Sequence, residues 1–258
     1  MTRLTRRNLF ALSAAALSLA ACGGAGDAAS RTFVLVHGAL HGGWSWRRVA
    51  RLLRANGAEV FTPTLTGLGE RVHLNGPHIS LSTHIDDIVN CIEAEELKDV
   101  ILVGHSYAGM VITGAALRVT DRIAHLVYLD AVVPKNGENA LDAMGNLEIP
   151  PAMKMFTSTP DTDFGVIDPD DRAWVQRRVN GQSAQTLRDR LTIDRDLSEL
   201  KRTFIACTVD SGSGSPADKM RQTSLARLDK TWRRAEIKTG HDAMITAPRE
   251  LADILLSL

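Results

Sequence analysis

Short apolar runs that do not alternate with polar residues recur through this chain, each followed by an amphipathic stretch of about ten to fifteen residues. Thr32–Val36, Val100–Val103 and Thr203–Cys207 are runs of this kind. A strand apolar on both faces has to be covered on both faces, and 258 residues are enough to supply the covering helices. The order therefore predicts an α/β fold: a doubly wound, mostly parallel sheet with right-handed crossovers and a site at the carboxyl ends of its strands.

Read in order, the chain gives a strand at Thr32–Val36, a helix from Trp44 to Ala55 and a strand from Glu59 to Thr62. A glycine- and histidine-rich loop runs from Thr64 to Ile79, and Thr83 is the expected cap of a helix reaching about Leu97. The strand Val100–Val103, a helix from Ala108 to Val119 and a strand from His125 to Leu129 follow. Between Pro134 and about Leu200 the period breaks down and prolines and methionines accumulate, which predicts an inserted cap. Thr203–Cys207, a helix from Pro216 to Leu228, Arg233–Ile237 and a terminal helix from Pro248 complete the sheet and its cover.

Ahead of this domain, taken as 31–258, the sequence carries processing signals. Arg3, Arg6 and Arg7 precede 13 uncharged residues from Leu9 to Ala21, signal-peptide length. A spanning helix needs about 20 apolar residues. The stretch Thr5 to Phe10 resembles a twin-arginine export signal, and Leu19-Ala20-Ala21-Cys22 resembles a bacterial lipobox. Residues 1–21 are thus expected to be removed, Cys22 to take a diacylglyceryl group, and 22–30 to serve as a tether; ordinary cleavage without lipid is the alternative. The expected location is a membrane-anchored lipoprotein in a bacterial periplasm or on the cell surface.

Thirty basic and 30 acidic residues leave no positive balance with which to hold a polyanion, so nucleic acid is excluded as an expected partner. Without the first 21 residues the count is 27 basic to 30 acidic, which removes basic-patch adhesion as the anchor. Of three cysteines, Cys91 and Cys207 remain after Cys22 and are expected to be two buried thiols rather than a bridge. His73, His78 and His84 lack a metal-ligand pattern and read as loop or capping residues; no metal or cofactor is expected.

Gly104-His105-Ser106-Tyr107-Ala108 stands between a buried strand and a helix, where a tight turn lifts the third side chain above the sheet. Small residues at 104 and 108 allow that turn, with Ala108 where glycine is usual. A serine hydroxyl needs a base to take its proton and an acid to fix the base's tautomer. His241, in Thr239 to Met244 after the last strand, is the best placed of eight histidines. Asp210, just past Thr203–Cys207, is the expected acid; Asp130, ending Leu126 to Asp130, competes with it, and Asp242 is a more distant third. His37-Gly38-Ala39-Leu40-His41-Gly42-Gly43 supplies exposed backbone donors, with the amides of Ala39 and Tyr107 the expected oxyanion pair.

The strings VLVHGALHGGWSW, VILVGHSYAGM, ACTVD and GHDAM resemble the α/β-hydrolase superfamily, in particular the branch of plant methylesterases, salicylate-binding esterase and hydroxynitrile lyases with its bacterial esterase relatives. The resemblance runs from about Thr32 to the C-terminus and implies Ser106, Asp210 and His241 as triad with Ala39 and Tyr107 as oxyanion donors. Asp242 stands where the lyases of that branch carry lysine, and Ser106 where dehalogenases and epoxide hydrolases of the fold carry aspartate, so neither chemistry is expected. The expected function is a serine carboxylesterase acting on small to medium esters through an acyl-enzyme on Ser106. Cap residues Met144, Met153, Met155, Phe156, Phe164 and Trp174 are candidates for its pocket. The same triad acting on a carbon–carbon, amide or lactone bond, or a ligand-binding lipoprotein without turnover, are the alternatives.

Overall fold

A computed structural model describes residues 31–158, 162–210 and 215–258. The export segment, Cys22 and the tether lie outside the described residues. Eight strands and nine α-helices follow in chain order among those described: β1 Thr32–Val36, α1 Arg47–Ala55, β2 Glu59–Phe61, α2 Leu81–Ala94, β3 Val100–His105, α3 Ala108–Arg118 and β4 Ile123–Leu129. Next come α4 Ala140–Ala143, β5 Met155–Phe156, α5 Pro169–Gln176, β6 Gln182–Ser183 and α6 Gln185–Arg188. The chain closes with β7 Lys201–Cys207, α7 Pro216–Leu225, β8 Arg233–Ile237, α8 Ala243–Thr246 and α9 Pro248–Leu256.

Six strands form one parallel sheet in the order β2-β1-β3-β4-β7-β8. Alternate residues of the central strands feed two separate cores. Val34, Val36, Leu102, Leu126 and Phe204 pack under α2, α3 and the cap. Phe33, Leu35, Ile101, Val103, Val127, Leu129 and Ile205 pack against α1 and α9. This is the double burial that the unbroken apolar runs require. After β1 the chain goes outward to β2, then returns to build β3 on the other side of β1. The crevice at the carboxyl ends of β1 and β3 is therefore the switch point of the sheet.

The cap of helix α2 stands three residues before the expected one. Ser80 accepts from the Thr83 amide and Thr83 reciprocates to the Ser80 amide, so Thr83 is the inner member of a capping box whose cap is Ser80. Buried His84 belongs to the same helix and is neither a loop nor a capping residue. It donates from Nε2 to the Thr66 carbonyl and accepts at Nδ1 from the Tyr107 hydroxyl, each at 3.0 Å. Cys91, on the same helix, is half-buried rather than buried; Cys207 is buried, and both are free.

The segment between β4 and β7 carries α4, α5, α6 and the antiparallel β5–β6 ribbon. Apart from the eight-residue α5, these elements have two to four residues and leave no readable period, which is why the sequence shows irregularity there. Its side chains tie it to the sheet side: Asp189 caps α2 at the Leu81 amide, Asn180 accepts from the Gly69 amide, and Gln182 accepts from the Leu40 amide.

Candidate active site

The turn from β3 into α3 puts Ser106 at φ +55°, a left-handed conformation that a side chain adopts only when its surroundings impose it. Its amide donates to the Leu129 carbonyl at 3.2 Å, and its carbonyl accepts from the amides of Gly109 and Val132. Backbone is packed so closely here that a Cβ on Gly109 would sit 1.8 Å from the Val132 carbonyl oxygen, and one on Gly104 2.9 Å from the Ala108 carbonyl. Ala108 itself is buried without conflict at the start of α3. The strict requirement for glycine has moved one residue along, to Gly109.

Gly38 brings the loop after β1 against the same turn. A Cβ there would lie 2.8 Å from His105 Nδ1 and 3.0 Å from the Ser106 Cβ. Among the described residues the amides of Ala39 and Tyr107 donate no hydrogen bond, so two backbone N–H groups flank Ser106 unspent. The Ser106 hydroxyl, beside the pocket, likewise makes no hydrogen bond to a described residue.

His241 donates from Nδ1 to Asp130 Oδ2 at 2.7 Å, which leaves Nε2 as the nitrogen available to Ser106. Both side chains line one pocket; contacts of this kind are often long before substrate binds. The His241 carbonyl accepts from His105 Nε2 at 3.0 Å, so His105 holds the loop that carries His241. From the cap, Gly165 packs backbone to backbone on Gly240, and Phe164 accepts from the Asp242 amide.

The acid beside His241 is thus Asp130 and not the expected Asp210. Asp130 is fully buried at φ +39°, directly after β4, and accepts from the Cys207 amide at 3.3 Å. Arg221 on α7 lies 3.4 Å from the same carboxylate. Asp210 has a side chain 77% exposed and pairs with Arg221 at 2.8 Å, through the other terminal nitrogen of the guanidinium from the one nearest Asp130. Both aspartates follow strands, so strand-end position alone did not separate them. The available signal was that Asp130 directly follows a wholly apolar run on the strand next to β3. His41, Gln182 and Arg221 complete the surroundings and were not singled out as parts of the site by sequence, while Asp242, the third candidate acid, contacts the His41 ring rather than that of His241.

The pocket above these groups has a volume of about 400 Å³. Met144, Leu147, Phe156, Leu187 and Met220 make its wall apolar, and Phe164 also reaches it. Met153, Met155 and Trp174 of the expected set do not line it; Trp174 packs edge-on against Trp44 instead. Among the described residues no group of histidine, cysteine and carboxylate side chains is arranged to hold a metal ion.

A model of the alpha/beta hydrolase family matches residues 33–254. A carbendazim hydrolyzing esterase of Nocardioides sp. (strain SG-4G) is 41% identical over 242 residues, which cover 88% of this chain and 98% of that protein. Salicylic acid-binding protein 2 of Nicotiana tabacum is 27% identical over 253 residues, 88% of this chain and 96% of the relative. Among solved structures, a methylesterase from Arabidopsis superimposes with a TM-score of 0.72 at 22% identity, covering 88% of this chain and 98% of that one.

Proposed function

The chain belongs to the alpha/beta hydrolase family, and from that premise we propose that it is a serine carboxylesterase in which Ser106, His241 and Asp130 form the catalytic triad. The observation that carries this reading is the buried 2.7 Å pair of His241 and Asp130, sharing one pocket with a serine held in a left-handed turn. Ser106 attacks the ester carbonyl while His241 takes its proton at Nε2; Asp130 holds the imidazole in the tautomer that can do so. The tetrahedral oxyanion is met by the amides of Ala39 and Tyr107, each worth about 3 kcal/mol in the transition state. The protonated imidazole then gives its proton to the departing alcohol, and a water activated by the same nitrogen hydrolyses the acyl-enzyme.

An apolar pocket of about 400 Å³ fits the acyl or alcohol part of a small to medium ester. Similarity to the carbendazim hydrolyzing esterase makes carbendazim a test substrate beside p-nitrophenyl esters of graded acyl length. The purified protein is expected to hydrolyse the short esters, and Ser106→Ala to abolish both turnover and labelling by a fluorophosphonate. Retained hydrolysis and labelling in Ser106→Ala rejects the assignment.

The same proposal includes export and anchoring through a lipid on Cys22, supported by the arginines, the apolar run and the Leu19 to Cys22 string. Mass spectrometry of the native N-terminus is expected to find diacylglyceryl-modified Cys22; an unmodified start downstream of it rejects the anchor.

A further inference from the structure

A second histidine–carboxylate pair lies beside the first. His41 is buried next to the pocket, with Nδ1 2.8 Å from the Ala39 carbonyl and Nε2 3.0 Å from Asp242 Oδ2. Both neighbours are acceptors without a proton to give. A neutral imidazole has one N–H, so it would leave a lone pair aimed at one of them. The two contacts are satisfied together only when both ring nitrogens carry hydrogen.

The neighbouring histidines show the contrast. His37 donates from Nδ1 to the Gly38 carbonyl but accepts at Nε2 from the Leu65 amide, which requires the neutral ring. His105 donates from Nε2 to His241, and its Nδ1 has no partner among the described residues. Only His41 in this group has acceptors on both sides.

The titratable groups facing His41 are Asp242 on the loop after β8, His37 after β1 and His105 at the end of β3. His241 reaches it only through Asp242. The loop before α1 contributes Trp44, whose ring stacks on the imidazole at 5.2 Å, and the cap contributes Phe164; neither is charged. Asp242, fully buried, is therefore the counter-ion, with its second oxygen 3.7 Å from His105 Nε2. Burial alone would drive the proton off His41, but the Asp242 charge and the two hydrogen bonds outweigh it and raise the pKa above 6.5. Burial likewise opposes the Asp242 charge, and His41 overrides it, holding the carboxyl below its ordinary range.

The Ala39–Leu40 peptide is gripped at both ends by this arrangement. Its oxygen is held by His41, and its N–H, on Leu40 at φ +68°, is held by Gln182 at 3.0 Å. That peptide has no freedom left to rotate, and its neighbour across Cα is the Gly38–Ala39 peptide, whose N–H is the oxyanion donor. We propose that His41 and Asp242 are a buried imidazolium–carboxylate pair that, with Gln182, positions the Ala39 amide for the oxyanion. The pair consists of positioning residues, and its role rests on the serine-esterase reading above.

The test begins with nitrogen-15 spectra of the histidine rings, the His41 signal being the one absent in His41→Gln. Both His41 nitrogens are expected to carry protons at neutral pH, where a free imidazole is mostly neutral; a singly protonated ring there overturns the pair. In kinetics, Asp242→Ala is expected to lower kcat by about 10²-fold with KM within about twofold. Asp242→Asn, which donates to a neutral His41 whose Nδ1–H still serves Ala39, is expected to restore most of kcat. A kcat for Asp242→Ala within threefold of the parent overturns the positioning role. Should Asp242→Ala fail to fold, the spectrum of the parent protein decides. The spectrum needs no turnover, so failure of Ser106 as nucleophile would be seen separately, in the labelling of Ser106→Ala.

Discussion

Asp130 and Asp210 follow neighbouring strands, and one guanidinium, Arg221, reaches both while also binding Asp218 at 2.6 Å. Their environments set their roles. A fully buried carboxylate needs compensation, and Asp130 finds it in the His241 imidazole, the Cys207 amide and Arg221. Asp210 keeps its water, and an ion pair so exposed contributes little. Asp130→Asn is expected to leave the fold intact, release the His241 tautomer and lower kcat by about 10⁴-fold. Asp210→Asn is expected to leave kcat within about twofold, because Arg221 retains its two other partners. Steady-state kinetics on the two variants checks this, and the reverse order of effects would return the acid's role to Asp210. The sequence showed that an acid had to come from a strand end near the switch point. It did not show which one, because that depends on Arg221 and on the inward path of the His241 loop, both tertiary facts.

Elements meet at this site through glycines whose absent side chains are geometric requirements. Gly109 is the clearest: its Cβ would lie 1.8 Å from a backbone oxygen, so α3 would have to move off the strand end. Gly109→Ala is expected to abolish soluble expression or to lower Tm by many degrees. Gly57, at φ +80° with nothing within 4 Å of its Cβ, is the control, since Gly57→Ala carries only the left-handed cost of about 1–2 kcal/mol. Gly38→Ala falls between them. Its Cβ meets His105 Nδ1 at 2.8 Å, and that ring is fixed by its bond to His241. The oxyanion loop should back away from Ser106, with kcat falling about 10²-fold and Tm falling more than in Gly57→Ala but less than in Gly109→Ala. Thermal unfolding of all three, with kinetics on Gly38→Ala, separates these effects. The sheet's interior was legible at this scale where a strand is a single apolar run, as Thr32–Val36 is, a strand at the expected residues; the edge strand Arg233–Ile237 also falls at the expected residues although it is mostly charged and exposed. Helix α2 was legible except for its cap, since Ser80 and Thr83 are both capping types and only the reciprocal bonds reveal the order. The cap's wall was not, because Met144 and Trp174 are equally apolar and only packing sends one to the pocket and the other to Trp44.

Across the whole molecule, the core contains histidines whose partners require them to be neutral, and this makes stability depend on pH. His37 and His84 are fully buried, and each uses one ring nitrogen as an acceptor, from the Leu65 amide and the Tyr107 hydroxyl. Burial lowers their pKa values to about 3 and about 4. Unfolded, each takes up a proton near pH 6.5, whereas the native protein refuses it until those lower values. Below pH 6.5 the unfolded chain therefore binds more protons than the native one, and stability falls as pH falls. Each site removes about 1.4 kcal/mol per pH unit over that window. Together they remove more than 5 kcal/mol between pH 6.5 and pH 4, comparable to the whole stability of many domains. His41 acts in the opposite sense: its raised pKa contributes stability at low pH that is lost only as pH rises through the folded value. The protein is accordingly expected to be stable near neutrality and to unfold cooperatively on acidification toward pH 4. His84→Gln, which can still accept from Tyr107 and donate to the Thr66 carbonyl, should cost little at pH 7 and lower the slope of stability against pH between 6 and 4 by about 1.4 kcal/mol per pH unit, leaving the contributions of His37, His105 and His125, whose pKa values are also lowered. Denaturant unfolding at a series of pH values measures that slope; if it is the same in His84→Gln as in the parent protein, His84 is not a source of the acid sensitivity.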